Sequence, residues 1–489
     1  MSVALDLSTP TLAPAPGARR TRVVTRKPAR SRTELSAQRN LAPDLGAQHN
    51  IAGPLAPWWK LVPRRYGHVF HAMCSYMGMF PPSLPRYFIE QYSKPGDLVL
   101  DPFSGRGTTA LEACLRGRVG VGLDLNPLAA LLSEAKVDPP THAEALARLH
   151  EIRSSYRRSA VTEKAPPEIA MLFDGRRTLP QLMHLRACLQ GSSKREDRFL
   201  LAALVGILHG NHPRNPMDSR CLSVSMPNTF SMSPGYLKKY IHQNGLKKYP
   251  LDAFEKLAQR LEHLYAQPLA PTRGRAIHAD ALALHEHVAP KSAKLIVTSP
   301  PYLNVVRYGK FNWIRLWMMG ESVQNVDASL TDRTRTNLEV ERTDRQLGLS
   351  DRLGFRRYCA FLRDAVIECA RALSDDGVCI MTIGDVENGE HDKRLALDAW
   401  RAIADEVPLE LHSVIEDRLW TENKVSRIWG ENKGRATRVE RVLVLTRKGC
   451  PLPRANFTDP SEIVLQMSRE TPGAMRSIPG IDHDPRAAV

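Results

Sequence analysis

The sequence has no uninterrupted apolar run of about 18 residues, which argues against a membrane-spanning helix. Its eight cysteines (Cys74, Cys114, Cys188, Cys221, Cys359, Cys369, Cys379 and Cys450) are scattered, with no CxxC pair. That spacing argues against a disulfide framework or a zinc site, and it reads as thiols in a reducing, cytoplasmic compartment. Residues 1–45 lack any aromatic residue and any continuous apolar stretch of the kind a signal peptide carries. They read as a disordered basic arm, with Arg19, Arg20, Arg22, Arg26, Lys27, Arg30 and Arg32. An Arg-rich transit peptide shares that composition, but a tail attracted to phosphates is the simpler reading. No internal repeat is visible.

Acid is in short supply relative to base. With 68 Lys+Arg against 52 Asp+Glu, the formal charge is +16, which points to a polyanionic partner because basic surfaces release counterions on binding nucleic acid. At 489 residues, 43% of them apolar, the chain can bury at least one large core and hold roughly two to four domains.

Local patterning divides the chain. Residues 46–138 contain a helix over Leu84–Tyr92, a buried strand Asp97-Leu98-Val99-Leu100, a glycine turn from Asp101 to Thr108, a helix over Thr109–Arg116 and a strand Val119–Asp124. This strand–turn–helix–strand unit implies an α/β fold with a parallel, doubly wound sheet. Residues 139–272 switch to helical stretches, such as Ala143–Tyr156, Leu179–Leu189 and Phe199–His209, broken by Pro, Gly and Asn. They read as an inserted, mainly helical subdomain. Strand signals return in 273–448, at Arg275–His278, Lys294–Thr298, Val378–Ile383 and Arg441–Thr446, with a turn at Asp375-Asp376-Gly377. Residues 449–489 read as a loose tail.

Two segments carry chemistry. The turn Asp101-Pro102-Phe103-Ser104-Gly105-Arg106-Gly107-Thr108 sits between strand and helix, where doubly wound sheets place a ligand. It lacks the Lys-Ser or Lys-Thr pair of a phosphate cradle, and Asp101 would repel a phosphate while suiting an ammonium. An amino-acid-bearing nucleoside such as S-adenosylmethionine therefore fits better than a nucleotide. Asp124 closes the next strand and suits ribose hydroxyls, or else caps the helix that starts at Pro127. Asp280 suits an adenine amine or another helix cap. The second segment, Ser299-Pro300-Pro301-Tyr302, follows a buried strand. Ser299 and the carbonyls of the turn offer acceptors to an exocyclic amine, the prolines fix the backbone, and Tyr302 offers a ring face. An ordinary Pro-rich turn has the same pattern.

Together, the Asp101–Thr108 turn and Thr298-Ser299-Pro300-Pro301-Tyr302 resemble the cofactor and catalytic motifs of amino-methylating DNA methyltransferases, which modify N4 of cytosine or N6 of adenine. Phe80–Gly96 resembles the additional cofactor motif of that family, and the resemblance spans about 75–138 and 275–447. It implies an S-adenosylmethionine-dependent, Rossmann-like sheet acting on double-stranded DNA with the target base flipped out, in a restriction-modification system with a cognate restriction enzyme or in another defence system. By position, Asp101, Phe103, Gly105, Gly107 and Thr108 would line the methionine side of the cofactor, Asp124 the ribose and Asp280 the adenine. Ser299, Pro300, Pro301 and Tyr302 would hold the target base. Ser299, where adenine-modifying members more often have Asp or Asn, tilts the expectation to cytosine N4. The chain has no Pro-Cys pair of the kind used for carbon-5 methylation.

The insertion is the expected recognition region. Its segment Ser225–Tyr240 mixes hydroxyls, aromatics and Lys238-Lys239, a composition suited to phosphates and bases, though Ser233-Pro234 is equally an ordinary helix start. Arg307 and the polar segment 320–357 are further candidates for DNA contact; a solvated loop is the plainer reading of the latter. RNA amine methylation and a nucleic-acid-binding protein with a decayed methylase core are the alternatives.

Overall fold

A computed structural model describes residues 57–62, 66–76, 80–226, 232–302, 309–334, 350–388, 391–393, 395–418 and 439–470. The basic arm, Arg307 and residues 335–349 of the polar segment 320–357 lie outside them. Seven strands form the central sheet: β1 (Leu98–Asp101), β2 (Val119–Asp124), β3 (Arg275–His278), β4 (Ala293–Thr298), β5 (Leu373–Gly384), β6 (Leu409–Arg418) and β7 (Val439–Arg447). Their order is β3-β2-β1-β4-β5-β7-β6. Strands β1 to β5 run parallel, and β7 is antiparallel to both its neighbours.

Strand alternation explains the two covered faces. Val99, Leu295, Val297, Val378, Ile380, Val442 and Val444 point to one side. There they meet Trp58 and Trp59, helix α1 (Ser83–Tyr92) and Ala113 of α2 (Thr108–Leu115). Leu100, Ile296, Cys379, Met381, Leu443 and Leu445 point to the other, against the long helix over Ser350–Ala372 and the helix over Leu395–Ile403. The doubly wound α/β sheet read from the sequence is therefore present. The turn expected at Asp375-Asp376-Gly377 is absorbed into β5 as an irregularity, where Ala293 pairs with Leu373 but Leu295 with Val378.

After β2, Asn126 caps α3 (Pro127–Val137) by accepting from Leu128 N, with proline in the first turn. Helices α4 (His142–Ser155), α5 (Thr178–Leu189), α6 (Arg195–Val205), α7 (Pro234–Gln243) and α8 (Ala253–Leu264) follow. Thr141 and Glu144 form a reciprocal capping box at the start of α4. These helices share one apolar cluster with Phe70, with Leu128, Leu131 and Leu132 of α3, and with α9 (Trp313–Met319). The core of the insertion is thus continuous with parts of the chain on both sides of it.

The tail differs from the loose segment expected. Ser461–Arg469 forms a helix that buries Ile463, Val464 and Met467 against the α1 side of the sheet. Glu470 then pairs with Arg86 and Arg116. Apolar residues spaced i, i+1 and i+4 in a short, Pro-flanked stretch gave little periodic signal, so burial rather than local pattern defines this element.

Candidate active site

The sheet brings the two sequence motifs to one edge. β1 ends at Asp101 and its neighbour β4 ends at Thr298, and Thr298 Oγ1 donates to Asp101 Oδ1 at 2.6 Å. The same carboxylate oxygen accepts from Phe103 N at 3.1 Å. Asp101 is almost completely buried, and burial pushes its carboxyl up to about 6 although these hydrogen bonds pull the other way. In the first turn of α2, Thr109 Oγ1 donates to the Val297 carbonyl at 3.0 Å. The glycine turn and the helix that follows it are therefore each bonded to β4, the strand that leads into Ser299–Tyr302.

Asp124, at the end of β2, grips the turn from the other side. Its Oδ2 accepts from Gly105 N at 2.8 Å and its Oδ1 from Asn126 N at 2.9 Å. The cap of the following helix is Asn126, not Asp124, which frees Asp124 to organise the turn. Burial raises its carboxyl to about 7, and the charge of Asp101 adds to the effect. Gly105 and Gly107 both have positive φ, +50° and +74°. A Cβ on Gly107 would lie 2.7 Å from Ser133 Oγ and 2.8 Å from Ser133 Cα, so glycine there admits α3. A Cβ on Gly105 would meet only the Tyr76 ring, at 3.7 Å, leaving that backbone open to a ligand. Thr108 is buried at the start of α2, and Phe103 packs on Phe361 with ring centroids 5.8 Å apart. Lys136, fully buried, donates to the Arg106 carbonyl; burial and the Arg106 guanidinium hold it well below its ordinary range.

In the loop after β4, Pro300 is buried and Ser299 and Tyr302 are partly so. Ser299 Oγ donates to Tyr302 Oη at 3.2 Å, and Tyr302 Oη donates to Glu440 Oε1 at 3.2 Å. Burial and the Glu440 carboxylate hold the Tyr302 phenol well above its ordinary value, so it remains a donor. The Tyr302 ring packs at the border of the apolar cluster below the sheet edge. Asp280 caps the short helix that follows it, accepting from Leu282 N at 3.1 Å. That is the cap reading of this residue.

A DNA methylase family profile, covering N6 and N4 enzymes, matches residues 58–134, the stretch that contains the glycine turn and Asp124. Over this stretch the chain is similar to the amino-methylating DNA methylases. Type II methyltransferase M.MvaI of Kocuria varians is 24% identical over 293 residues, 55% of this chain and 60% of that protein. DNA adenine methyltransferase YhdJ of Escherichia coli (strain K12) is 33% identical over 90 residues, 18% of this chain and 31% of that protein. Among solved structures, PvuII DNA methyltransferase (cytosine-N4-specific) overlaps 35% of this chain and 49% of that one, at 14% identity and a TM-score of 0.22. The matches thus span less than two thirds of these proteins. The sheet order and the two covered faces are those of a doubly wound α/β fold.

Several residues that shape this site carry no local signal of their role. Thr298 stands in the motif that ends at Tyr302, but nothing in the local pattern aims its hydroxyl at Asp101. Ser133 and Lys136 lie on a helix that local pattern alone does not aim at the turn. Glu440 closes a charged stretch, yet it sits 138 residues from Tyr302. The Lys238-Lys239 pair lies exposed on α7, in the helical insertion.

Proposed function

We propose that this chain transfers a methyl group from S-adenosylmethionine to the exocyclic N4 of cytosine in double-stranded DNA, with the target base flipped out of the stack. The observation that carries the reading is the 2.6 Å bond from Thr298 to Asp101, which ties the cofactor turn to the amine-binding loop. The donor set fits the cofactor. Asp101 and Asp124 are two carboxyl groups raised chiefly by burial, and a cationic ligand bearing hydroxyls would stabilise their ionised forms. Asp124 would hold the ribose with the lone pairs that Gly105 and Asn126 leave open. Phe103, Gly105, Gly107 and Thr108 would line the methionine side, with the charge of Asp101 beneath, and Asp280 would meet the adenine.

When bound, S-adenosylmethionine supplies an electrophilic methyl group on a sulfonium. Ser299 Oγ and the Pro300 carbonyl would accept the two amine hydrogens and turn the nitrogen lone pair toward that methyl. Pro300 and Pro301 hold this geometry at little entropic cost. The proton that the amine sheds has an acceptor chain in Ser299, Tyr302 and Glu440, whose hydroxyls already point in that order. Ser299 in place of an acid favours cytosine. Adenine N6 is the second reading, favoured by the relative named a DNA adenine methyltransferase. Such an enzyme would work in the cytoplasm beside the chromosome, paired with a restriction enzyme in a modification system.

Incubation with tritiated cofactor and either duplex DNA or total RNA, followed by digestion to nucleosides, tests this. Label in N4-methylcytosine is expected. Label in N6-methyladenine selects the second reading, and label in RNA alone overturns both. Absence of calorimetric heat with S-adenosylmethionine, in a folded sample, would favour a nucleic-acid-binding protein with a decayed core.

A further inference from the structure

Among the described residues, nothing covers the outward side of helix α7. Leu237 anchors it, fully buried, and Ile241 one turn later packs on the same cluster. Of the other residues on it, all but the half-buried Tyr240 are exposed. Tyr236 is 47% exposed, one of three large apolar side chains so exposed among the described residues. It stacks on Tyr240 one turn along, with ring centroids 6.1 Å apart and planes 15° from parallel. Lys238, Lys239, His242 and Gln243 are exposed beside the pair, and Lys247 follows.

Charge selects the occupant. From Ser219 to Leu251 the chain has no acidic residue, while Arg220, Lys238, Lys239, Lys247 and Lys248 all fall within it, in a protein of net charge +16. A parallel aromatic pair with ammonium groups alongside matches a nucleic acid strand, in which flat bases alternate with phosphates. The segment leading into the helix is pinned in place: Trp313 Nε1, at the start of α9, donates a buried 2.8 Å bond to the Met232 carbonyl, just ahead of α7.

We propose that α7 is a DNA-docking helix, in which Lys238 and Lys239 hold phosphates while Tyr236, backed by Tyr240, stacks on a base left unpaired when the target base is displaced. This rests on the reading of the chain as a DNA methyltransferase for the role of the unpaired base, but not for the binding itself.

The test is fluorescence anisotropy of the full chain with three labelled probes: a DNA duplex, the same duplex with one unpaired base, and the matching RNA duplex. The wild type is expected to prefer the DNA probe with the unpaired base. Tyr236→Ala should weaken that complex about 5- to 150-fold and leave the fully paired duplex nearly unchanged. The double variant Lys238→Gln/Lys239→Gln should weaken both DNA complexes and lower the slope of log affinity against log salt by about 2. All three side chains involved are exposed, so circular dichroism and S-adenosylmethionine affinity should stay at wild-type values. An unchanged salt slope, equal loss on paired and unpaired probes after Tyr236→Ala, or tighter binding to RNA would each overturn the proposal. DNA binding with these signatures but no methyl transfer would leave α7 as proposed and remove the enzymatic reading alone.

Discussion

Thr298 Oγ1 donates a 2.6 Å hydrogen bond to Asp101 Oδ1, joining the carboxyl ends of two adjacent parallel strands that lie 197 residues apart in the chain. A buried carboxylate of this kind cannot lose a donor cheaply. Thr298→Val keeps the shape and removes the hydroxyl. It should cost about 1–3 kcal/mol in chemical denaturation and weaken S-adenosylmethionine binding by calorimetry, whereas Thr298→Ser should restore both. Wild-type behaviour of the valine variant would mean that the bond organises nothing.

The two raised carboxyls set a pH dependence. Asp101 and Asp124 have folded-state values of about 6 and about 7, above their unfolded values near 4. Between those limits the folded chain binds more protons than the unfolded one, so its stability falls as pH rises from about 4 to about 7. Cofactor affinity should run the opposite way, rising through the same window as the carboxylates ionise to meet a cation. Thermal unfolding and calorimetry across pH 4–8 read both trends, and Asp124→Asn should flatten each.

In the catalytic loop, Ser299→Ala should reduce single-turnover methyl transfer by about 10²-fold or more with cofactor affinity retained. Glu440→Gln keeps the size of the Tyr302 partner but removes its basicity. It should slow the chemical step and flatten the acid limb of the pH–rate profile. A slower rate with an unaltered profile would assign Glu440 to orienting Tyr302 only.

Gly107→Ala places a methyl 2.7–2.8 Å from Ser133 Oγ and Cα at a φ of +74°. Crowding of that order costs about 1–3 kcal/mol, to which the left-handed backbone adds roughly 1 kcal/mol. Adding Ser133→Ala should recover only part of the loss, because the Ser133 Cα remains in the way. Gly105→Ala, whose methyl meets Tyr76 at 3.7 Å, should be milder in denaturation.

The helix at Ser461–Arg469 predicts an effect of truncation. Removing the chain after Pro460 uncovers Trp59, Tyr87 and Phe88 and strands Arg86, whose guanidinium is nearly buried beside Glu470. Each of Ile463, Val464 and Met467 carries about 1.5–3 kcal/mol of burial, so the unfolding midpoint should drop by a clearly measurable margin. An unchanged midpoint would show that the segment is dispensable.

Much of the fold was readable one strand at a time. The runs at Leu98–Asp101, Val119–Asp124 and Lys294–Thr298 are short, largely apolar and closed by a polar residue, which is what a sheet covered on both faces demands. β6 has no clear local signature, because the break in register between Leu411 and Ser413 interrupts the alternation of apolar and polar residues along Leu409–Arg418. The glycine turn and the tetrapeptide were legible as motifs. The partners of their side chains were not, because a hydrogen bond from Tyr302 to Glu440 depends on which strands lie side by side.

What the sequence determined by itself is local: the alternation that sends Val99 and Val297 to one face and Leu100 and Ile296 to the other, the motifs placed at strand ends, and the excess of positive charge. These follow from side-chain periodicity and composition, which act over a few residues. Tertiary structure alone decided that β1 lies beside β4, that Asp124 holds the Gly105 amide and leaves the cap to Asn126, and that Glu440 closes the chain from Ser299. Those outcomes come from burying both faces of one sheet at once, a condition that links residues far apart in the chain and leaves no mark on the pattern around either of them.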